Sequence, residues 1–162
     1  MDGKLRNMTA LYLLHGDEIL FLYRQGSRVV GNSYVGAAGG HFEKDELNDA
    51  KACVLRELRE EIGLTEADLR DLRLRYVTLR LKNREIRQNY YFFAYLDDPE
   101  KIRQSNEGRL RWGPYAEAMS LTMPLSARFM MQHFLQEGRD TRHLYGGITE
   151  EDGIRFHILQ EF

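Results

Sequence analysis

The run Arg56-Glu57-Leu58-Arg59-Glu60-Glu61-Ile62-Gly63-Leu64 sets three carboxylates at i, i+3 and i+4. On a helix, which turns by about 100° per residue, Glu57, Glu60 and Glu61 fall on one face. Like charges at these spacings repel by roughly 0.2–0.5 kcal/mol per pair in an isolated helix, and partial burial sharpens the repulsion. Such a face is stable as a solvated surface or against something positive. The adjoining arc carries Val54, Leu55, Leu58 and Ile62, so one side of the helix buries while the acidic side opens to a cleft. Asn48 is the expected N-cap, with Asp49 in the first turn, and Gly63 is the expected stop. Ahead of the helix lies Gly39-Gly40-His41-Phe42-Glu43, where two glycines allow unusual dihedrals and close approach of the backbone to a ligand.

Around this centre the chain reads as pairs of strands. Met8 to Leu14 and Ile19 to Tyr23 are apolar runs on either side of His15-Gly16-Asp17-Glu18, a hairpin pattern. Leu72 to Leu81 and Ile86 to Leu96 repeat it about Lys82-Asn83-Arg84-Glu85. The segment Asn89-Tyr90-Tyr91-Phe92-Phe93-Ala94-Tyr95 is too aromatic for an exposed helix and suits a strand buried on both sides, its rings serving chiefly as core. Thr65 to Asp68 reads as a short capped turn. Ser126 to Gln136 reads as a second helix, with Phe129, Met130, His133 and Phe134 at helical spacing as a core or interface stripe. His143 to Ile148 and Ile154 to Leu159 suggest a terminal hairpin that extends a sheet edge or pairs with another subunit, which leaves a homodimer open. Pattern alone gives an α+β chain with a mixed or antiparallel sheet. With no repeat, low-complexity tract or linker in 162 residues, one domain over 1–162 is expected.

The glycine turn and the acidic helix together resemble the signature of the Nudix hydrolases, G-x5-E-x7-R-E-U-x-E-E-x-G-U with U apolar. Arg56, Glu57, Leu58, Glu60, Glu61, Gly63 and Leu64 match its second half without exception. Counted from Gly40, the first glutamate is Glu46, but the interval to Arg56 is then two residues longer than the pattern. This is read as an extended loop in Lys44-Asp45-Glu46-Leu47, and it leaves open whether Glu46 braces the arginine as its counterpart in the family does. The resemblance implies an α/β/α sandwich with a mixed sheet. It also implies a divalent ion, Mg2+ with Mn2+ as a substitute, held by Glu57, Glu60, Glu61 and the Gly39 carbonyl, with Arg56 bracing the carboxylates. The general base would be Glu60 or Glu61 if the helix supplies it, or Glu107, just before the strand with Trp112, if a loop does. Arg24, in the polar loop Arg24-Gln25-Gly26-Ser27-Arg28, and Gly40 are the candidate substrate contacts. The implied activity is hydrolysis of a nucleoside diphosphate linked to another moiety. A nucleoside triphosphate, oxidised (as in 8-oxo-dGTP) or not, is the first expectation, with monophosphate and pyrophosphate as products. An ADP-ribose or dinucleoside polyphosphate hydrolase is the alternative, as is a non-catalytic nucleotide-binding module of the same fold.

Composition narrows the partners. A formal charge of −2 gives no general attraction to nucleic acid polymers or anionic membranes, so a small-molecule nucleotide has to be drawn in locally. The single cysteine, Cys53, excludes an internal disulfide and fits a reducing compartment, as a small buried thiol within the helix. No apolar run resembles a signal peptide or reaches membrane-spanning length, so a cytoplasmic location is expected.

Overall fold

The computed structural model describes residues 3–25 and 32–162. Gly26, Ser27 and Arg28 of the polar loop lie outside the described residues. In chain order the elements are β1 (Lys4–His15), β2 (Glu18–Arg24), β3 (Ser33–Gly36), α1 (Ala50–Ile62), β4 (Leu69–Lys82), β5 (Glu85–Leu96), β6 (Arg109–Pro114), α2 (Leu125–Gln136), β7 (Tyr145–Thr149) and β8 (Ile154–Ile158). The strands form one sheet in the order β3-β2-β1-β5-β4-β7-β8, with β6 paired to β2. β1 runs parallel to β5, and β4 parallel to β7, while the remaining pairs are antiparallel.

Side-chain alternation explains the layering. Leu11 and Leu13 of β1, with Phe92 and Ala94 of β5, pack against Val54, Leu58 and Ile62 of α1. Tyr12 and Leu14 of β1, with Tyr91 and Phe93 of β5, pack on the other face against Met130, Met131 and Phe134 of α2. The central strands are therefore covered on both faces, as the aromatic run predicted, and the layers are helix, mixed sheet, helix. His133 stays within this second core, its Nδ1 2.9 Å from the Tyr76 hydroxyl.

The β4–β5 connection is a two-residue turn with both central residues left-handed, Asn83 at φ 53° and Arg84 at φ 64°, which matches the twist of the flanking strands. The terminal hairpin takes the first of its two expected roles: β7 extends the sheet beside β4 and β8 lies outside it. Among the described residues no helix is long and apolar enough to cross a membrane.

The start of α1 differs by one residue from the sequence expectation. Asp49, not Asn48, is the N-cap, and its side chain accepts from Ala52 N at 2.9 Å. The reason lies in the preceding loop, where the Asp49 N–H donates to the Glu46 carbonyl at 2.8 Å and carries the turn one position further. Gly63 closes the helix at φ 73°, its N–H on the Arg59 carbonyl at 3.2 Å. Cys53 joins Val54, Leu58 and Ile62 in full burial, whereas Leu55 is only half-buried. Burial pushes the Cys53 thiol up to about 11, which leaves it inert at neutral pH.

Candidate active site

Two successive glycines and two carboxylates one helical turn apart are fitted to each other. The chain from Ala37 to Gly40 runs beside β1, held by Ala37 N to Leu11 O (2.8 Å), Leu11 N to Ala38 O (2.7 Å) and Thr9 N to Gly40 O (2.9 Å). Gly39 adopts φ 149°, and a Cβ there would overlap the Thr9 carbonyl and the Ala10 backbone. Its N–H donates to Glu61 Oε2 at 2.9 Å. At Gly40 a Cβ would instead overlap the carboxylate of Glu57. The absent side chains thus make room for Glu57 and Glu61 against the turn.

These contacts separate two substitutions. Gly39→Ala meets backbone on β1 and is expected to destabilise by about 3 kcal/mol or more, read from denaturant unfolding. Gly40→Ala meets a movable carboxylate, so it is expected to lose less than about 1 kcal/mol of stability while displacing Glu57 and depressing turnover at least as strongly. Equal stability losses in the two variants would contradict the geometry.

Arg56 ties the helix to the loop. Its Nε donates to Glu46 Oε1 at 2.6 Å and its Nη2 to Glu46 Oε2 at 3.0 Å, while Nη1 reaches Glu57 at 2.8 Å and Glu60 at 3.2 Å. Nη2 also donates to the His41 carbonyl at 3.0 Å. The question that the longer loop left open is thereby answered. The two extra residues are taken up in a turn closed by Glu46 N on Glu43 O (3.1 Å) and Glu43 N on Glu46 Oε2 (2.9 Å), which returns the Glu46 carboxylate to the arginine.

The Arg56 guanidinium holds the Glu46 carboxyl at about 2, below its ordinary value near 4.5. Because the folded value is the lower one, the pair stabilises the fold above about pH 4.5, and this contribution is lost as the pH falls toward about 2. Thermal unfolding followed from pH 6 down to pH 2.5 is expected to show a steeper loss of Tm in the wild type than in Glu46→Gln. Parallel curves would contradict the assignment.

On the other side of the cluster, Arg24 donates to Glu61 Oε1 at 3.3 Å and makes a short contact with Glu107. Glu107 precedes β6, which carries Trp112, and so the loop does bring this carboxylate to the helix through the shared arginine. Burial pushes Glu61 up to about 7, with the charges of Glu107 and Glu57 adding to it against the pull of the Gly39 N–H and Arg24. Burial also raises Glu57, in spite of Arg56. Glu60 is the outlier, 60% exposed and, among the described residues, held through Arg56 alone. Among the described residues no three carboxylate, histidine or cysteine side chains are grouped as they would be around a metal, and Arg24 and Arg56 pair with Glu61 and Glu57 on the acidic face. The carboxylates lodged on the turn are nonetheless hard oxygen donors, the kind that Mg2+ and Mn2+ take.

Gly39 and Arg24 form one edge of a cavity of about 510 Å³ on the α2 side of the sheet. Tyr12 and Ser33, both almost wholly buried, line it with hydroxyls that have no hydrogen-bond partner among the described residues. Arg6, Arg80 and Arg87 also line it. Sequence reasoning named none of these five. Arg6 and Tyr12 do fall at even positions of the first strand, but facing a cavity is a matter of which strand lies alongside.

The sequence model of the family described as NUDIX domain matches residues 4–134. No curated protein matches the sequence. Among solved structures, a MutT protein from Bacillus halodurans is similar in fold at 20% identity, covering 94% of this chain and 97% of its own with a TM-score of 0.65. An Ap4A hydrolase from C. elegans, solved as a binary complex, is 17% identical with a TM-score of 0.61 over 80% of this chain and 94% of its own. The NUDIX domain of Shewanella oneidensis NrtR, solved with ADP ribose, is 13% identical with a TM-score of 0.62 over 87% of this chain and 90% of its own.

Proposed function

The chain belongs to the NUDIX family and is a pyrophosphohydrolase, and we propose that it cleaves, with a divalent ion, the diphosphate of a nucleoside diphosphate linked to a second moiety. The observation that carries this reading is the lodging of Glu57 and Glu61 on the Gly39-Gly40 turn at the edge of a cavity that a nucleotide would fill.

Glu57, Glu60, Glu61 and the Gly39 carbonyl are the groups that would hold the ion. Mg2+, or Mn2+ in its place, supplies neutralisation of phosphate charge and makes nearby water more acidic. The remaining work falls to side chains. Glu61, held at the turn by the Gly39 N–H and by Arg24, is the helix candidate to take the proton of the attacking water. Glu107 is the loop candidate for the same task, within reach through Arg24. Arg24 neutralises both and lines the cavity, where it can meet a phosphate oxygen as the substrate enters. Arg56 fixes the orientation of Glu57 and Glu60, and the absent side chain of Gly40 lets the Glu57 carboxylate lie against the turn.

Nucleoside triphosphates, oxidised or not, are the simplest members of this substrate class. The solved relatives named for Ap4A and bound to ADP ribose add two more for the panel. The test is release of pyrophosphate or phosphate across that panel with Mg2+. Wild-type turnover that disappears in Glu60→Gln/Glu61→Gln supports the reading. Turnover equal in both proteins, or absent from both, refutes it.

A further inference from the structure

The open end of the cavity holds more positive charge than the fold can use. In register, Arg6 of β1 lies beside Arg87 of β5, and Arg87 beside Arg80 of β4, so three arginines stand in a row on the α2 face. Lys82, next along that face of β4, lines the cavity too. Like charges on directly opposed strand positions oppose pairing, and here two such pairs adjoin. Among the described residues one carboxylate answers them, Glu85, 3.3 Å from Arg87 and 4.0 Å from Arg6, and Arg6 Nη2 also donates to His41 Nε2 at 3.0 Å. Arg80 and Lys82 make no ion pair among the described residues. A solvated basic face would ask for no partner, but Arg6 and Arg87 are only 22% and 20% exposed. The Nε of each is buried without a hydrogen-bond acceptor, the state expected of a site built for an anion.

The row leads away from the glycine turn across the sheet. Arg6 marks its near end, with Nη2 donating to the ring of His41, the residue after Gly40, at 3.0 Å, while Arg87 and Arg80 stand one and two strands further out, about 5 and 10 Å from Arg6. Tyr12, on the other side of Ala10 along β1, and Ser33 of β3 bring unpartnered hydroxyls to the same cavity. The cavity lining thus combines unpartnered hydroxyls with a row of cations.

We infer that the Arg6-Arg87-Arg80 row binds a remote phosphate, so that the substrate is a diphosphate-linked nucleotide with a further phosphate group beyond the bond that is cut. This rests on the proposed hydrolase reading for what happens at the glycine turn. The remote group is either a phosphomonoester on the second moiety or the continuation of a longer polyphosphate, since both present the same oxygens to guanidinium.

Isothermal titration calorimetry on the full chain in EDTA separates these sources without requiring turnover. NADP+ against NAD+ tests the phosphomonoester, and diadenosine tetraphosphate against diadenosine diphosphate tests the longer chain. In at least one pair the phosphate-rich member is expected to bind about tenfold tighter or more, and Arg80→Gln and Arg87→Gln are each expected to reduce that ratio to about threefold or less. Arg80 has no ion pair to lose among the described residues, so its variant keeps the test valid should Arg87→Gln fail to fold. Ratios near one in both pairs, or ratios unchanged in the variants, overturn the inference. Preference in binding without any Mg2+-dependent cleavage would sink the hydrolase reading and leave this site standing, and cleavage without preference would do the reverse.

Discussion

Glu61→Gln is expected to lower kcat/KM on the order of a thousandfold, about 4 kcal/mol of transition-state stabilisation, while the protein stays folded. The amide retains an acceptor for the Gly39 N–H and nearly the same volume, so the packing around the turn survives. What it loses is the charge that an ion and a water proton need. Stability is expected to move the other way. The folded carboxyl titrates at about 7 against an ordinary value near 4.5, so stability present below about pH 4.5 falls away as the pH rises toward 7 and Glu61 is forced to ionise in a buried place. The glutamine variant escapes that loss and should melt at or above the wild-type Tm at pH 8, although Arg24 then gives up one partner. A variant with activity within tenfold of wild type would remove Glu61 from both proposed roles.

Arg56→Ala is expected to have the largest effect on folding. Arg56 is 19% exposed and Glu46 only 8%, and removing the cation leaves a buried carboxylate without counter-charge. Breaking such a pair costs about 3–5 kcal/mol, and here Glu57 and Glu60 lose their brace at the same time. Turnover in the fraction that folds should fall about 10–100-fold, as it does when the partners that orient first-contact ligands are removed. Arg56→Lys should recover little, because one ammonium cannot donate side-on to Glu46 while also reaching Glu57 and the His41 carbonyl. Denaturant midpoints measure the first effect. A loss below about 1 kcal/mol in Arg56→Ala would show that the network contributes no more than a surface pair.

The parts of this molecule legible in its sequence are those governed by local spacing. The acidic face of α1, its stop at Gly63, the glycine turn and the aromatic run of β5 follow from periods of 3.6 and 2 and from what glycine permits. Local competition accounts for the one-residue slip from Asn48 to Asp49, since both side chains can cap and the loop turn chose between them. The reach of Glu46 back to Arg56 was hidden because a residue count along a loop does not reveal that the loop folds on itself. The cavity was hidden for a different reason. Arg6 meets Arg87 only because β1 and β5 pair in parallel across 81 positions of sequence, and no local pattern specifies which distant strand will lie alongside. The unpartnered hydroxyls of Tyr12 and Ser33 depend on that same long-range pairing, together with the placement of α2.

Everything proposed for catalysis depends on the carboxylates of α1 gathering a divalent ion beside Gly39. Electron paramagnetic resonance of Mn2+ titrated into the protein measures this directly, because free Mn2+ gives the signal and bound Mn2+ does not. The wild type is expected to bind Mn2+ saturably and release it to excess Mg2+, and Glu57→Gln/Glu61→Gln to bind it at least about a hundredfold more weakly. Equal Mn2+ binding by the two proteins would contradict the account.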